Sequence, residues 1–275
     1  MYNNLISISE RGIAMDLQLK GKTALVVASS QGLGKGIAAE LLKEGCNVMI
    51  SGRDEEKLKR VKEELMTTSN GQITFCKSDI TNKDDILHLV HETVKAFGTI
   101  DILVNNAGGP PAGSFDEITE EQWLNAFELN LLSYIRLIKS SLPYLRKQGG
   151  KIINIASSSI KEPIPGLILS NTFRTGIIGL SKTLANELAP DGILINTVAP
   201  GRIATDRVKH LDEVNAKKLG IKPQDVEEKV KESIPLNRYG TPEEFAKVVV
   251  FLASSANTYM TGSAFLVDGG MIKSI

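Results

Sequence analysis

The chain has 275 residues, 42% of them hydrophobic and 23% charged, with 32 basic side chains against 32 acidic ones. That balance leaves no net field to attract nucleic acid or an anionic membrane surface, and the apolar runs are too short to span a bilayer. Cys46 and Cys76 are the only cysteines; one opens an expected strand and the other lies inside one, so buried thiols in a reducing cytoplasm are expected rather than a disulfide.

Met1 to Ala14 sets Glu10 and Arg11 among short apolar pieces and lacks the continuous apolar core of a secretion signal. Residues 1–15 are expected to be an N-terminal extension, either flexible or a mis-called start ahead of Met15, and residues 16–275 a single domain. From there, β-rich runs alternate with amphipathic patterns. Strands are expected at Thr23 to Ala28, Asn47 to Ser51, Gln72 to Lys77, Ile100 to Val104, Lys151 to Ala156, Ile193 to Val198 and Ala264 to Val267. Helices are expected at Gly34 to Lys43, Glu55 to Met66, Lys83 to Phe97, Glu120 to Lys147, Leu169 to Leu188 and Glu243 to Ala253. This alternation predicts an α/β fold: a single doubly wound, parallel seven-stranded sheet with helices on both faces, Rossmann-like. Thr205 to Ser233 breaks the rhythm with a charged helical stretch divided by Pro223. It follows a strand end, where ligands of such sheets bind, and reads as a helical lid over about 205–233; a solvated helical pair serving subunit contact is the alternative.

Short motifs punctuate the pattern: Ser29-Ser30-Gln31-Gly32-Leu33-Gly34 after the first strand, Asn105-Asn106-Ala107-Gly108, Ile153-Asn154-Ile155-Ala156-Ser157, Pro200-Gly201 and Val267-Asp268-Gly269-Gly270. In this order they resemble the short-chain dehydrogenase/reductase family over roughly residues 18–275, and its 3-oxoacyl-[acyl-carrier-protein] reductases more than other branches. The resemblance implies a nicotinamide dinucleotide, with the pyrophosphate near Ser29, Ser30, Gln31, Gly32, Leu33 and Gly34 at a helix N-terminus. Val27-Ala28 stands where the family usually has Thr-Gly, which narrows the turn.

The second strand ends in Ser51-Gly52-Arg53-Asp54. An acid about 20 residues past the glycines binds the ribose of NAD, whereas an arginine accommodates the phosphate of NADP. In family register the acid's position falls on Gly52 and Arg53 follows, so NADP(H) is favoured, with NAD(H) as the alternative. Asp54 reads as the N-cap of the next helix or as a ribose ligand. By resemblance, Asp79 lies beside the adenine or else caps a helix. Asn105, Ala107 and Gly108 line the adenine ribose and steady the central strands. Pro200, Gly201, Ile203 and Thr205 hold the nicotinamide carboxamide.

Ketone reduction needs hydride at carbon, a proton at oxygen and donors for the developing alkoxide. The family uses Asn, Ser, Tyr and Lys. Asn130 and Ser157 match the first two, with helix bending and strand-end capping as their local alternatives. Counting from Ser157, and checking against Gly176 and Gly179, puts Ser170 at the tyrosine position and Arg174 at the lysine position; Lys182 is out of register. A serine is shorter and less acidic than a phenol, and arginine is a poor proton shuttle. Arg174 is expected to hold cofactor ribose hydroxyls and stabilise negative charge. Ser158, Ser159, Lys161 and Glu162 are further candidates for the proton path, Lys161 to Pro165 reads as a rigid loop wall, and Tyr134 as core. No metal site is expected, since His88, His91 and His210 have no cysteine or carboxylate cluster around them. The resemblance implies a cytoplasmic homotetramer acting on a small-molecule carbonyl or alcohol; a nucleotide-binding regulatory or assembly protein without turnover is the other reading.

Overall fold

The structure is a computed structural model that describes residues 15–274; of the expected extension, only Met15 lies among them. Seven strands form one sheet in the order β3-β2-β1-β4-β5-β6-β7, every pair parallel. They are β1 (Thr23–Val26), β2 (Asn47–Gly52), β3 (Ile73–Lys77), β4 (Ile102–Asn105), β5 (Gly150–Ile155), β6 (Ile193–Pro200) and β7 (Ala264–Val267). The helices are α1 (Gly32–Lys43), α2 (Glu55–Met66), α3 (Lys83–Phe97), α4 (Glu120–Phe127), α5 (Ser133–Leu145), α6 (Ile168–Leu188), α7 (Asp206–Leu219), α8 (Pro223–Glu232) and α9 (Pro242–Ala253). The expected doubly wound, Rossmann-like sheet is the one observed.

Strand register accounts for the two core layers. Successive residues of a strand face opposite sides of the sheet. Val26 pairs with Ile50 and Val104, and these join the layer that α1, α2 and α9 cover. Leu25 pairs with Met49 and Leu103, and these join the layer beneath α3, α5 and α6. A central strand with both faces covered must be apolar at every position, which is why Thr-Ala-Leu-Val reads as a run without alternation. Burying one such side chain contributes about 1.5–3 kcal/mol, against under about 1 kcal/mol for a surface ion pair, so the apolar register and not the charge pattern sets the fold.

Two local expectations are corrected. The first strand does not reach Ala28 but stops at Val26, because Ala28 turns to φ +50° and carries the chain out of the sheet. The helix expected from Glu120 to Lys147 is two helices joined by a π turn at Glu128–Leu132. Here Asn130 donates from Nδ2 to the Gly108 carbonyl at 2.8 Å, fastening the widened turn to the end of β4. Pro143 near the end of α5 does not stop that helix before Leu145.

The strand order reverses between β1 and β4. Helices on the two sides of that point run off in opposite directions, leaving a crevice beyond the carboxyl ends of the strands.

Candidate active site

The turn after β1 is shaped by hydrogen bonds that the motif alone does not reveal. Ser29 is buried: its hydroxyl donates to the Val26 carbonyl at 2.6 Å and accepts from the Ser51 amide at 3.0 Å, stitching β1 to β2 rather than facing the crevice. Gly32 takes φ +56°. A Cβ on Gly34 would stand 2.5 Å from the Ala28 carbonyl and 2.8 Å from Asn106 Nδ2, so only glycine lets the helix start fold back this closely. Asn106 Nδ2 donates to the Ala28 carbonyl at 3.0 Å, holding the residue with the strained backbone. Asn106 went unassigned in the sequence reading despite lying in the Asn-Asn-Ala-Gly motif.

Gln31 precedes α1 with no side-chain cap, which leaves the amides of the first helical turn available to an anion. Beside it is a cleft of about 450 Å³, lined among others by Ser30, Gln31, Lys35, Lys57 and Arg60. Lys57 bonds Gln31, and Lys35 pairs with Glu64. Arg53 is exposed just past β2 and has no carboxylate partner among the described residues. Asp54 is the N-cap of α2, accepting from the Lys57 amide at 3.0 Å, so its carboxylate is committed locally. Asp79 shapes the turn before α3 through Thr81, while Asn82 is the cap of that helix, which corrects the capping alternative for Asp79. Glu64 and Asp206 also line this cleft; the free helix-terminal amides and the side chains of Lys35, Lys57 and Arg60 are the groups in it that suit a phosphorylated nucleotide.

At the other end of the crevice the side chains of α6 meet the strand ends. Asn105 is fully buried, and its Nδ2 donates to Asn154 Oδ1 at 2.8 Å. Asn154 donates on to Ser181, which shares a hydrogen bond with Thr197. Asn105 thus ties β4 to β5 within the sheet through its Nδ2, while its Oδ1 is buried and has no partner among the described residues. Asn130 Oδ1 has no partner among the described residues and is buried. Ser157 follows β5, where its Oγ accepts the Ser159 amide at 3.2 Å. Ser158 and Ser159 are buried, whereas Lys161 and Glu162 are exposed. The loop wall at Lys161 to Pro165 is clasped by Asn171, which accepts from the Ile164 amide and donates to its carbonyl.

Ser170 is half-buried in the first turn of α6, and Arg174 lies one turn further on. Arg174 is only 4% exposed. Nη1 donates to the Tyr134 hydroxyl at 2.9 Å and to the Ile155 carbonyl at 2.7 Å, and Nη2 donates to the Ala107 carbonyl at 3.1 Å. Tyr134 closes the ring by donating to the same Ile155 carbonyl at 2.9 Å. Burial pushes the Tyr134 phenol above its ordinary pKa, opposed by the neighbouring guanidinium. Three of the five guanidinium hydrogens are therefore held by the protein, and the expectation that Arg174 serves ribose hydroxyls is confined to what remains. Tyr134 is core, as the sequence reading has it, but its tie to Arg174 was not foreseen. Lys182 faces the Gly262 carbonyl on the far part of α6.

The segment after β6 frames the opposite wall. Pro200 ends the strand and the Gly201 amide bonds Val267. Ile203 is buried and bridges to Gly240 through its neighbours, Ala204 donating to Gly240 and Gly240 to Arg202, so the Ile203 amide itself stays out of the pairing. Thr205 caps α7 by accepting from Val208, and its methyl lies 3.6 Å from where a Cβ on Gly32 would stand. Helices α7 and α8 occupy the stretch between Thr205 and Ser233, with Pro223 in the first turn of α8. Among the described residues no helix is long and apolar enough to cross a membrane, and no group of three or more His, Cys, Asp or Glu is placed to hold a metal.

A glycine turn at the switch point of a parallel sheet, with Asn130, Ser157 and α6 gathered at the ends of β4 and β5, defines a Rossmann-like fold. A family model described as enoyl-(acyl carrier protein) reductase matches residues 27–272, and the chain belongs to the short-chain dehydrogenase/reductase family. It is 36% identical to the uncharacterized oxidoreductase YvrD of Bacillus subtilis (strain 168), covering 95% of this chain and 100% of that one. It is likewise 36% identical to 3-oxoacyl-[acyl-carrier-protein] reductase FabG of Aquifex aeolicus (strain VF5), over 94% of this chain and 100% of the relative. Among solved structures, L-sorbose reductase from Gluconobacter frateurii in complex with NADPH and L-sorbose superposes with a TM-score of 0.90 at 32% identity, covering 95% of this chain and 100% of that one.

Proposed function

We propose that the chain is an NADP(H)-dependent oxidoreductase interconverting a ketone and a secondary alcohol with an atypical set of proton-handling residues: Asn130, Ser157, Ser170 and Arg174. The observation that carries this reading is the convergence of α5, α6 and the π turn on the ends of β4 and β5, where Asn130 and Arg174 fix the Ala107 and Gly108 carbonyls and Ser157 follows β5. NADP(H) is supported by Lys35, Lys57 and Arg60 in the cleft beside the start of α1, by exposed Arg53 just past β2, by the local commitment of Asp54, and by NADPH in the sorbose reductase complex. Bound there, the coenzyme supplies hydride to the carbonyl carbon. Ser157 donates to the carbonyl oxygen, Ser170 and Asn130 order the path by which the proton arrives, and Arg174 contributes positive charge without titrating. Ser29 and Asn105 serve this site from behind by holding strand ends. A 3-oxoacyl thioester is the first ketone to assay, given the FabG relatives. Residues 16–275 act as a single domain in which about 205–233 form a helical lid over the crevice.

The non-catalytic alternative draws on one observation, the commitment of most Arg174 donors to protein acceptors. Titration with NADPH and NADH, followed by coenzyme oxidation with 3-oxoacyl thioesters, enoyl thioesters and simple ketones, separates the readings. Ketone-dependent oxidation that Ser157→Ala lowers by at least about 100-fold is expected; binding without oxidation favours the alternative, and no binding of either coenzyme ends both. A cytoplasmic homotetramer completes the proposal. It is supported by exposed Leu124 and Phe127 on α4, and by Tyr259 before the edge strand β7, and light scattering tests it.

A further inference from the structure

The arginines of the described chain divide by partner. Arg136, Arg146, Arg202 and Arg238 each pair with a carboxylate. Arg53 and Arg60 pair with none and lie on the nucleotide side. The remaining two, Arg174 and Arg207, also lack a carboxylate partner among the described residues, and both lie at the reacting end. Arg207 projects from the first turn of α7 and donates from Nη2 to the Pro110 carbonyl at 2.8 Å. Its Nε and Nη2 lie 3.0 Å from where a Cβ on Gly109 would stand, so the guanidinium packs directly on the backbone of that glycine. Arg174 reaches the same loop from α6 at Ala107, and Asn130 holds Gly108 between them. Two fixed positive charges thus bond the two ends of residues 107–110, Arg174 at Ala107 and Arg207 at Pro110. They are close enough that burial and the charge of Arg174 both lower the pKa of the half-buried Arg207.

Uncompensated like charges are unfavourable at short range, and an anion between them removes the penalty while gaining charge-assisted hydrogen bonds. We propose that Arg207 is a specificity-determining residue that binds an oxyanion carried by the substrate, so that the ketone acted on is one bearing a carboxylate or phosphate near its carbonyl. Arg207 keeps donors free on Nε and Nη1 for that group, and Arg174 adds charge from behind. This inference rests on the oxidoreductase reading and names the substrate class of the same site.

The test compares pyruvate, acetoacetate and levulinate with their methyl esters, and dihydroxyacetone phosphate with dihydroxyacetone, on the full chain and on Arg207→Met and Arg207→Lys. The ratio of kcat/KM for the preferred anion over its neutral partner is expected to fall about 10- to 100-fold in Arg207→Met and to recover in part in Arg207→Lys. Preference for a carboxylate or a phosphate identifies the source of the oxyanion. A parallel loss for anion and neutral partner, or a loss of NADPH affinity of that size, overturns the proposal, the latter because it would assign Arg207 to the coenzyme pyrophosphate. If no ketone is turned over, the same pairs are titrated by calorimetry with and without NADPH. Anion binding that exceeds ester binding and depends on Arg207 upholds the site although the catalytic reading has failed, and equal or absent binding refutes it.

Discussion

Tyr134→Phe removes one oxygen from the ring that Tyr134, Arg174 and the Ile155 carbonyl form, and the structure allows its cost to be worked out. The phenol accepts one Nη1 hydrogen at 2.9 Å and donates to Ile155 at 2.9 Å. Without it the Ile155 carbonyl keeps its 2.7 Å bond from Arg174, so that acceptor remains satisfied. The Nη1 hydrogen that faced the phenol has no substitute, and Arg174 is 4% exposed with no carboxylate to absorb its charge. Stranding a buried charged donor costs about 2–3 kcal/mol, while the ring volume is unchanged and no cavity opens. Urea unfolding should therefore show a loss of about 2–3 kcal/mol at constant m value, or a fall in Tm on the order of 4–6 °C. In a double-mutant cycle with Arg174→Met the second substitution should recover part of that loss, because the stranded charge leaves with it. A loss below about 0.5 kcal/mol, or strict additivity in the cycle, would mean that water or another acceptor reaches Nη1 and that the ring does not hold Arg174.

Ala28→Gly should stabilise the protein by about 0.5–1 kcal/mol: relief of an L-residue at positive φ is worth about 1–2 kcal/mol, and the greater freedom of glycine in the unfolded chain offsets about half. Destabilisation in urea would show that the methyl is needed for packing. Neither thiol should react with a disulfide reagent at pH 8 until the protein is unfolded, since burial holds Cys46 up at about 12 and Cys76 at about 11. Both remain neutral in the fold while the unfolded thiols ionise near about pH 8.5, so their stabilising contribution is complete below that pH and is lost as pH rises through 11 and 12. Stoichiometric labelling within seconds would contradict the burial.

Much of the fold was legible because it rests on local chemistry. Val26, Ile50 and Val104 belong to runs buried on both faces, and such runs show in any single strand before its neighbours are known. Asp54 announced itself as a cap by the acids that follow it. What was hidden depends on partners far apart in the chain. At Ala28 the glycine usual in the family hints at a left-handed residue, but the donor that holds it there, Asn106, lies 78 positions away. Tyr134 and Arg174 are 40 positions apart on different helices, so apolar spacing marks Tyr134 as core and says nothing of what its hydroxyl holds. Ser29 and Asn105 sit in motifs whose spacing suggests a ligand surface, yet side-chain direction turns both inward.

The π turn at Glu128–Leu132 has a bearing on how substitutions along this stretch are phased. Each added residue advances a helix by about 100°, so the wheel drawn through α5 does not continue into α4. Trp123 meets Phe173 edge-on, whereas Tyr134 and Leu137 point beneath the sheet, and one uninterrupted helical projection would misplace one set or the other. Deleting a single residue from the turn would swing the aromatic face away from its neighbours and release Asn130 from Gly108 together, coupling the periphery of the molecule to the geometry of its centre.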